Sequence, residues 1–225
     1  MLEALRAARP LDEIVCEAGG RNLGSMIAAA EEAGVRLRFA AREELDHLAH
    51  GVLHQGVIAR VGPFAYTDLA RFTAPGLVVV LDNVTDPQNF GAIARSALQA
   101  GADALVVPKK RSAQVGPAAE KASAGALSWL PVVAVPNLVR ALTDLAEQGV
   151  WSVGLDGGAS ETIWESRLLD GQVAVVVGAE GRGLSRLLAE RVDAQLRIPM
   201  AGPIDSLNVS VAAALTLFEA ARRRA

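Results

Sequence analysis

The chain has 225 residues and a formal net charge of −3, with 51% hydrophobic and 21% charged side chains. This composition predicts a globular protein in one large or two small domains, and it excludes a disordered chain or a uniformly basic nucleic-acid coat. One cysteine, Cys16, excludes an internal disulfide, and three histidines without ligand spacing predict no metal site. We recognise neither a signal peptide nor a membrane-spanning run, so we expect a cytoplasmic protein with no membrane contact.

The first part of the chain predicts a small α/β unit in which strands and helices alternate. We expect strands at 13–18, 35–40 and 56–61, with helices at 24–34 and 42–49. The stretch 62–76 contains two prolines and two glycines and little strand pattern, which is typical of a linker. We therefore predict a first domain over 1–61, a linker over 62–76 and a second domain over 77–225.

The second domain alternates short β-branched runs with helix-periodic stretches, the pattern of parallel βαβ units. We expect strands at 77–81, 104–107, 131–135, 151–155, 173–177 and 195–198. Helical stretches cover 91–101 and 137–149, and the chain finishes in an apolar helix over 208–222. The pattern predicts the α/β class, with a mostly parallel sheet covered by helices on both faces.

Three loops rich in small residues follow predicted strands. They lie within LDNVTDPQNFGAIARSA (81–97), VVVGAEGRGLS (175–185) and IPMAGPIDSLNVSVA (198–212). Asn89 and Ser206 also suit helix caps, and the glycine spacing G-x-x-G-x-G suits a tight turn more than a dinucleotide site. Ligand sites of parallel sheets lie at the carboxyl ends of the strands, so the coincidence of three such loops predicts one pocket.

These three loops resemble, in order, the three motifs of the SpoU (TrmH-like) branch of the SPOUT RNA methyltransferases. The first match is DPQNFGAIARSA, the second VVVGAEGRGLS and the third IPMAGPIDSLNVSVAAALTLFEA. The connecting stretch that begins VVPKKRSAQ is similar to bacterial large-subunit (23S) rRNA guanosine 2′-O-methyltransferases, and residues 1–61 are similar to their L30e-like RNA-binding domain. In that family a strand usually precedes the helix that here spans 2–10, so we expect a trimmed small domain or a late start.

The resemblance implies S-adenosylmethionine as methyl donor, an RNA ribose 2′-hydroxyl as acceptor, a trefoil knot in the C-terminal segment and a homodimer. Carried over by motif, the catalytic residues are Arg95, Asn89, Glu180, Ser206 and Asn208. The donor-binding residues are Gly178, Ile198, Leu207, Gly181 and Met200. The resemblance leaves two roles open for Arg95: a general base engaged by an RNA phosphate, or a permanent cation that stabilises a developing alkoxide.

A local basic patch is the expected RNA contact, because the whole chain is acidic. Lys109, Lys110 and Arg111 follow the second strand of the large domain, and Arg182 and Arg186 extend the patch beside the second loop. DNA is not expected as a substrate, because it lacks the 2′-hydroxyl. Three alternatives stay open: a catalytically silent RNA-binding protein, a nicotinamide oxidoreductase disfavoured by its glycine spacing, and an enzyme acting on tRNA or an antibiotic-resistance site of rRNA.

Overall fold

The computed structural model describes residues 1–21, 23–51, 53–110, 112–204 and 206–224. The chain divides into two compact units, Met1–Phe64 and Ala65–Ala225. This division falls within the stretch 62–76 that the sequence predicts as a linker.

The first unit is a three-stranded sheet with short helices. Its elements are α1 (Leu2–Arg6), β1 (Glu13–Glu17), α2 (Gly24–Glu32), β2 (Leu37–Ala40), α3 (Arg42–Leu48) and β3 (Val57–Arg60). The strand order is β2-β1-β3, and β1 pairs parallel with β2 and antiparallel with β3. Successive side chains of the central strand point to opposite faces, so Ile14 and Cys16 pack with Met26 while Val15 packs with Leu45.

The second unit is a seven-stranded sheet with the order β6-β5-β4-β9-β7-β10-β8, in which every pair of neighbours is parallel. This topology confirms the predicted α/β class with a mostly parallel sheet. Its elements are β4 (Leu77–Leu81), α4 (Pro87–Gln99), β5 (Ala104–Pro108), α5 (Pro117–Ala122), β6 (Val132–Val135), α6 (Leu138–Ala146), β7 (Trp151–Leu155), β8 (Glu161–Thr162), β9 (Val173–Val177), α7 (Arg186–Ala189), β10 (Ala194–Arg197) and α8 (Val209–Arg224).

The two central strands, β4 and β9, carry only buried residues. Such continuous apolar runs are expected for parallel strands that are covered on both faces. Val78 and Val80 pack on one face against α6, while α8 packs along β9 and against α4. The sequence did not predict α5, α7 or β8. The two helices are shorter than two helical turns and β8 has only two residues, so none of them is long enough to show its characteristic period.

The register of β4 and β9 determines where the site is built. Leu81 is the partner of Val177, so both strands end at the same level of the sheet. The loops that begin at Asp82 and Gly178 therefore leave the sheet side by side.

Candidate active site

A buried carboxylate holds the loop that follows β4. The Asp82 side chain is buried, its Oδ2 accepts a hydrogen bond from the backbone N–H of Ser185 at 2.6 Å, and its Oδ1 accepts one from Asn83 Nδ2 at 2.6 Å. Asn83 has a φ of 58°, in the left-handed region that asparagine tolerates better than most residues. Asp82 thus ties the loop after β4 to the loop after β9.

Helix α4 begins four residues earlier than the sequence predicts, because Asp86 and Pro87 form its start. The carboxylate of Asp86 accepts hydrogen bonds from the backbone N–H groups of Gln88 at 3.3 Å and Asn89 at 3.0 Å, and Pro87 occupies the first turn. Asp86 therefore caps the helix, and the side chain of Asn89 is not needed for capping.

The loop after β9 is a tight turn that presents Glu180. Ala179 N–H donates to the Gly183 carbonyl at 3.0 Å, and Gly183 N–H donates back to the Ala179 carbonyl at 2.9 Å. Gly181 and Gly183 have φ values of 72° and 64°, which a side chain would strain. A Cβ on Gly178 would overlap the backbone of Gly183, so this close approach requires glycine at position 178.

The loop after β10 ends at Asn208, immediately before α8. Asn208 Oδ1 accepts hydrogen bonds from the backbone N–H of Ser210 at 2.9 Å and from Ser210 Oγ at 2.6 Å. This acceptor role caps the helix and turns the amide nitrogen of Asn208 away from it.

One hydrogen-bonded chain joins the three loops. Asn208 Nδ2 donates to Asn89 Oδ1 at 3.0 Å, and Asn89 Nδ2 donates to Glu180 Oε2 at 3.3 Å. Because the acceptor role of Asn208 toward Ser210 determines its orientation, the network also determines the orientation of Asn89. We call this chain of side chains, Asn208–Asn89–Glu180, the amide relay. It brings together three of the five predicted catalytic residues, which lie up to 119 positions apart in the sequence.

A cavity of about 330 Å³ lies against the relay, and we call it the first cavity. All five predicted donor-binding residues line it, together with Glu180 and the predicted catalytic Ser206; those five are Gly178, Gly181, Ile198, Met200 and Leu207. Asp156, at the end of β7, also lines it and was not predicted. Its signal in the sequence was the Asp-Gly-Gly stretch after a predicted strand, which also suits an ordinary turn.

A second cavity, of about 510 Å³, adjoins the first. The two cavities share Glu180, Ala179, Gly183 and Val209, so the Glu180 end of the relay lies at their boundary. Arg182 lines the second cavity together with two residues that the sequence did not single out, Asn83 and Thr85.

The remaining predicted site residues lie elsewhere. Arg95 is exposed on α4 and lines neither cavity. Lys109 and Lys110 are exposed at the end of β5, where Lys109 borders a separate cavity at the β6 edge of the sheet. Arg111 lies outside the described residues.

The described part of the chain offers neither a metal-binding cluster nor a helix able to cross a membrane. No group of three or more His, Cys, Asp or Glu side chains there has the arrangement of a metal site. Among the same residues, no helix combines the length and apolar character that a membrane crossing requires.

Comparisons with known proteins give consistent matches. The SpoU rRNA Methylase family matches residues 76–218, and the RNA 2′-O ribose methyltransferase substrate binding family matches residues 1–67. The chain is 44% identical over 210 residues to the 23S rRNA (guanosine-2′-O-)-methyltransferase RlmB of Escherichia coli (strain K12), covering 91% of this chain and 86% of the relative.

Solved structures give similar matches. The SpoU methyltransferase AviRb from Streptomyces viridochromogenes, in complex with the cofactor AdoMet, has a TM-score of 0.82 and 28% identity over 99% of this chain and 88% of its own. The TrmH/SpoU tRNA modifying enzyme of A. aeolicus has a TM-score of 0.60 and 31% identity, covering 66% of this chain and 75% of its own.

Proposed function

Because this chain belongs to the SpoU rRNA Methylase family, we propose that it transfers a methyl group to the 2′-hydroxyl of a guanosine in 23S rRNA. The predicted family is confirmed, and the chain is an RNA methyltransferase with S-adenosylmethionine as its donor. The amide relay carries the proposal, because it joins the three family motifs at the boundary of two cavities. Two reactants placed in those cavities would meet at Glu180, which borders both, beside Asn89, which lines the second.

The first cavity fits S-adenosylmethionine. Its apolar wall residues suit the adenine ring, and the bare backbone at Gly178 offers hydrogen bonds at close approach. The carboxylates of Asp156 and Glu180 complement the positive charges of the donor. When bound, the donor supplies a methyl group on a positively charged sulfur.

The residues of the chain position the acceptor and manage its charge. Within the relay, Asn89 holds one Glu180 oxygen at 3.3 Å, which leaves the carboxylate oriented at the cavity boundary. We assign Arg95 the role of a cation that stabilises the developing alkoxide, because a guanidinium is a permanent cation in proteins and does not serve readily as a base. Ser206, on the wall of the first cavity, completes the proposed catalytic set.

We propose a homodimer formed through α8. Val211, Leu215 and Phe218 are 46%, 38% and 49% exposed, and their spacing places them on one face of the helix. Helix α4, which carries the exposed Arg95, packs against α8. The proposal places Arg95 near the second subunit in such a dimer, so that the site is completed across the interface.

Sedimentation tests the dimer. We expect the wild-type chain to sediment as a dimer and Leu215→Glu to sediment as a monomer with much reduced methyl transfer, because burying a carboxylate in an apolar interface is costly. Leu187→Glu is the matched control, since Leu187 is 60% exposed on α7, outside this face. A monomeric wild-type chain with full activity would contradict the proposal.

The proposal assigns RNA binding to the first unit, to Lys109 and Lys110, and to Arg182. Support for the first unit is the substrate-binding family match over residues 1–67, which agrees with the predicted L30e-like domain. The tRNA-modifying relative covers 66% of this chain, whereas the 23S rRNA enzyme covers 91%, which favours ribosomal RNA. Since bacterial rRNA is modified in the cytoplasm, we place the enzyme there.

The trefoil knot predicted for the C-terminal segment belongs to the same proposal. Its support is the family match over residues 76–218. A chain pulled from both ends should stop short of its full contour length, because a tightened knot retains residues. Full extension would contradict the knot and leave the enzymatic activity untouched.

Transfer of radiolabelled methyl from S-adenosylmethionine to unmodified total RNA tests the function. We expect label on a guanosine ribose in 23S rRNA. Label in tRNA alone would preserve the chemistry and overturn the target. Donor binding without transfer to any RNA would indicate a catalytically silent RNA-binding protein.

Substitution of Arg95 tests its role within that assay. Arg95→Ala should lose methyl transfer by about 100-fold or more while donor affinity stays unchanged, as expected when one transition-state donor is removed. Gln99→Ala is the control, because Gln99 is exposed one turn further along α4. Near-native turnover of Arg95→Ala would remove Arg95 from the proposed mechanism.

A further inference from the structure

The second cavity is placed to hold the rest of the nucleotide whose ribose is methylated. It meets the first cavity at Glu180, and Asn89 lines it from the first turn of α4. If the donor occupies the first cavity, as the proposed function requires, the acceptor ribose lies at this boundary. The base attached to that ribose then extends into the second cavity, whose volume of about 510 Å³ is within the range of small-molecule sites.

The walls of this cavity are held in place by internal hydrogen bonds. Asp82 accepts from Ser185 on one wall and from Asn83 on the other, both at 2.6 Å. The Asp86 carboxylate accepts two backbone hydrogen bonds in the first turn of α4. A site that is ordered before binding loses less entropy when a ligand enters, so these ties favour selective recognition.

Arg182 is the cationic side chain among the residues that line this cavity. Among the described residues, no side-chain hydrogen bond or ion pair engages its guanidinium, in contrast to Arg186, which pairs with Glu190 at 2.7 Å. The five N–H donors of Arg182 are therefore available to a ligand. Thr85 adds a hydroxyl group to the same lining.

Guanine is the base that matches this donor set. Its O6 and N7 atoms are both acceptors on one edge, and an arginine fork can donate to the two at once. Adenine carries an amino donor where guanine has O6, so it would face the guanidinium with the wrong polarity. Uracil and cytosine have no N7, so they lack the O6 and N7 acceptor pair that guanine presents on this edge.

We infer, resting on the proposed function, that the second cavity is the subsite for the target base and that Arg182 selects guanosine by donating to its O6 and N7. Asn83 and Asp82 shape this subsite and do not take part in methyl transfer. The 23S rRNA relative acts, by its name, on a guanosine, which agrees with this base preference.

Single-atom changes in the RNA test this inference. A short RNA around the mapped target would be prepared with guanosine, 7-deazaguanosine or adenosine at that position, and kcat/KM would be measured for the wild type, Arg182→Ala and Arg186→Ala. The wild type should lose about tenfold with 7-deazaguanosine and more with adenosine, the usual range for a bidentate contact. Arg182→Ala should lose about tenfold on guanosine and no further activity when N7 is removed.

Arg186→Ala should remain as sensitive to N7 as the wild type, because Arg186 does not line the cavity. Two results would overturn the subsite: a wild type indifferent to N7, or an Arg182→Ala variant as sensitive to N7 as the wild type. Both leave the proposed function standing, since guanosine is still methylated. A wild type that binds donor but methylates none of the RNAs would instead overturn the proposed function.

Discussion

Helix α8 is held at its two ends by polar networks of opposite character. At its start the amide relay joins Asn208 to Asn89 and Glu180 through neutral amides, at the boundary of two cavities. At its other end, Glu219 is bound by Arg222 and Arg223, and Asp170 adds a second carboxylate. We call this second group the arginine clamp.

The arginine clamp is charged and closely packed. Glu219 is only 7% exposed, and its carboxylate accepts from Arg222 Nε at 2.9 Å, Arg222 Nη2 at 2.8 Å and Arg223 Nε at 2.6 Å. Arg223 also donates to Asp170 Oδ1 at 2.9 Å and to the carbonyl of Trp164. Hydrogen bonds from Arg222, followed by those from Arg223, lower the pKa of Glu219 to about 2.

The two networks differ in function: the relay is open to a ligand, whereas the clamp only stabilises the fold. In the clamp both Glu219 oxygens are bound by arginines and the side chain is almost fully buried, so a ligand has little access to the carboxylate. In the relay, Asn89 is the side chain that binds the Glu180 carboxylate among the described residues, and the carboxylate borders both cavities. Damage to the relay should therefore reduce activity more than stability, and damage to the clamp should do the reverse.

The largest expected effect is on the relay. Asn89→Ala removes the link between Asn208 and Glu180, and we expect methyl transfer to fall by about 100-fold, because small losses of positioning are costly in catalysis. Turnover would be measured beside the melting temperature, with Gln88→Ala, in the same helical turn, as control. If Asn89→Ala lowered the melting temperature and left turnover intact, the relay would serve stability and not catalysis.

The turn that supports the relay gives the next effect. Gly178→Ala should lower the free energy of unfolding by about 2 kcal/mol and weaken donor binding, because its Cβ would overlap the backbone of Gly183. Gly171→Ala is the matched control, since a Cβ there meets no atom within 4 Å. Calorimetric donor titration and urea unfolding measure the two effects, and an unaffected Gly178→Ala would show that the turn can relax.

Substitution in the clamp should affect stability alone. Glu219→Gln replaces a carboxylate bound by two arginines, and we expect the free energy of unfolding to fall by about 1.5 kcal/mol, the scale for hydrogen bonds to charged groups. Methyl transfer at a temperature where both proteins are folded should match the wild type. A loss of turnover comparable to that of Asn89→Ala would show that the clamp contributes to the site.

The smallest expected effect is on how the free energy of unfolding changes at acid pH. The pKa of Glu219 in the folded chain, about 2, is below its ordinary value of 4.5, so the carboxylate stabilises the fold above that ordinary value. This contribution is lost as the pH falls from 4.5 towards 2, because the unfolded chain then binds the proton first. Urea unfolding between about pH 5 and about pH 3 should show a shallower decline for Glu219→Gln than for the wild type. If stability fell equally with pH in the wild type and in Glu219→Gln, other carboxylates would account for the acid sensitivity.

The clustering of the motif residues around one cavity could be predicted from the sequence. The donor-binding residues carried over by motif all line one cavity, because a motif preserves the local backbone that a ligand contacts. Asn83 and Asp156 were missed, since each is an ordinary turn residue by local pattern. Asp82 was missed because a single buried carboxylate after a strand gives no signal until its partner, Ser185, is found 103 residues away.

The sequence by itself determined the α/β class, the positions of the long strands and the three loops that meet, because hydrophobic period and small-residue loops are local properties of the chain. Only the tertiary structure decided which side chains touch. It placed Asn89 between Glu180 and Asn208 and left Arg95 exposed on α4. It also put the relay beside two cavities and buried the carboxylate of the clamp. These outcomes depend on strand order and register, which bring distant residues together and which no local pattern encodes.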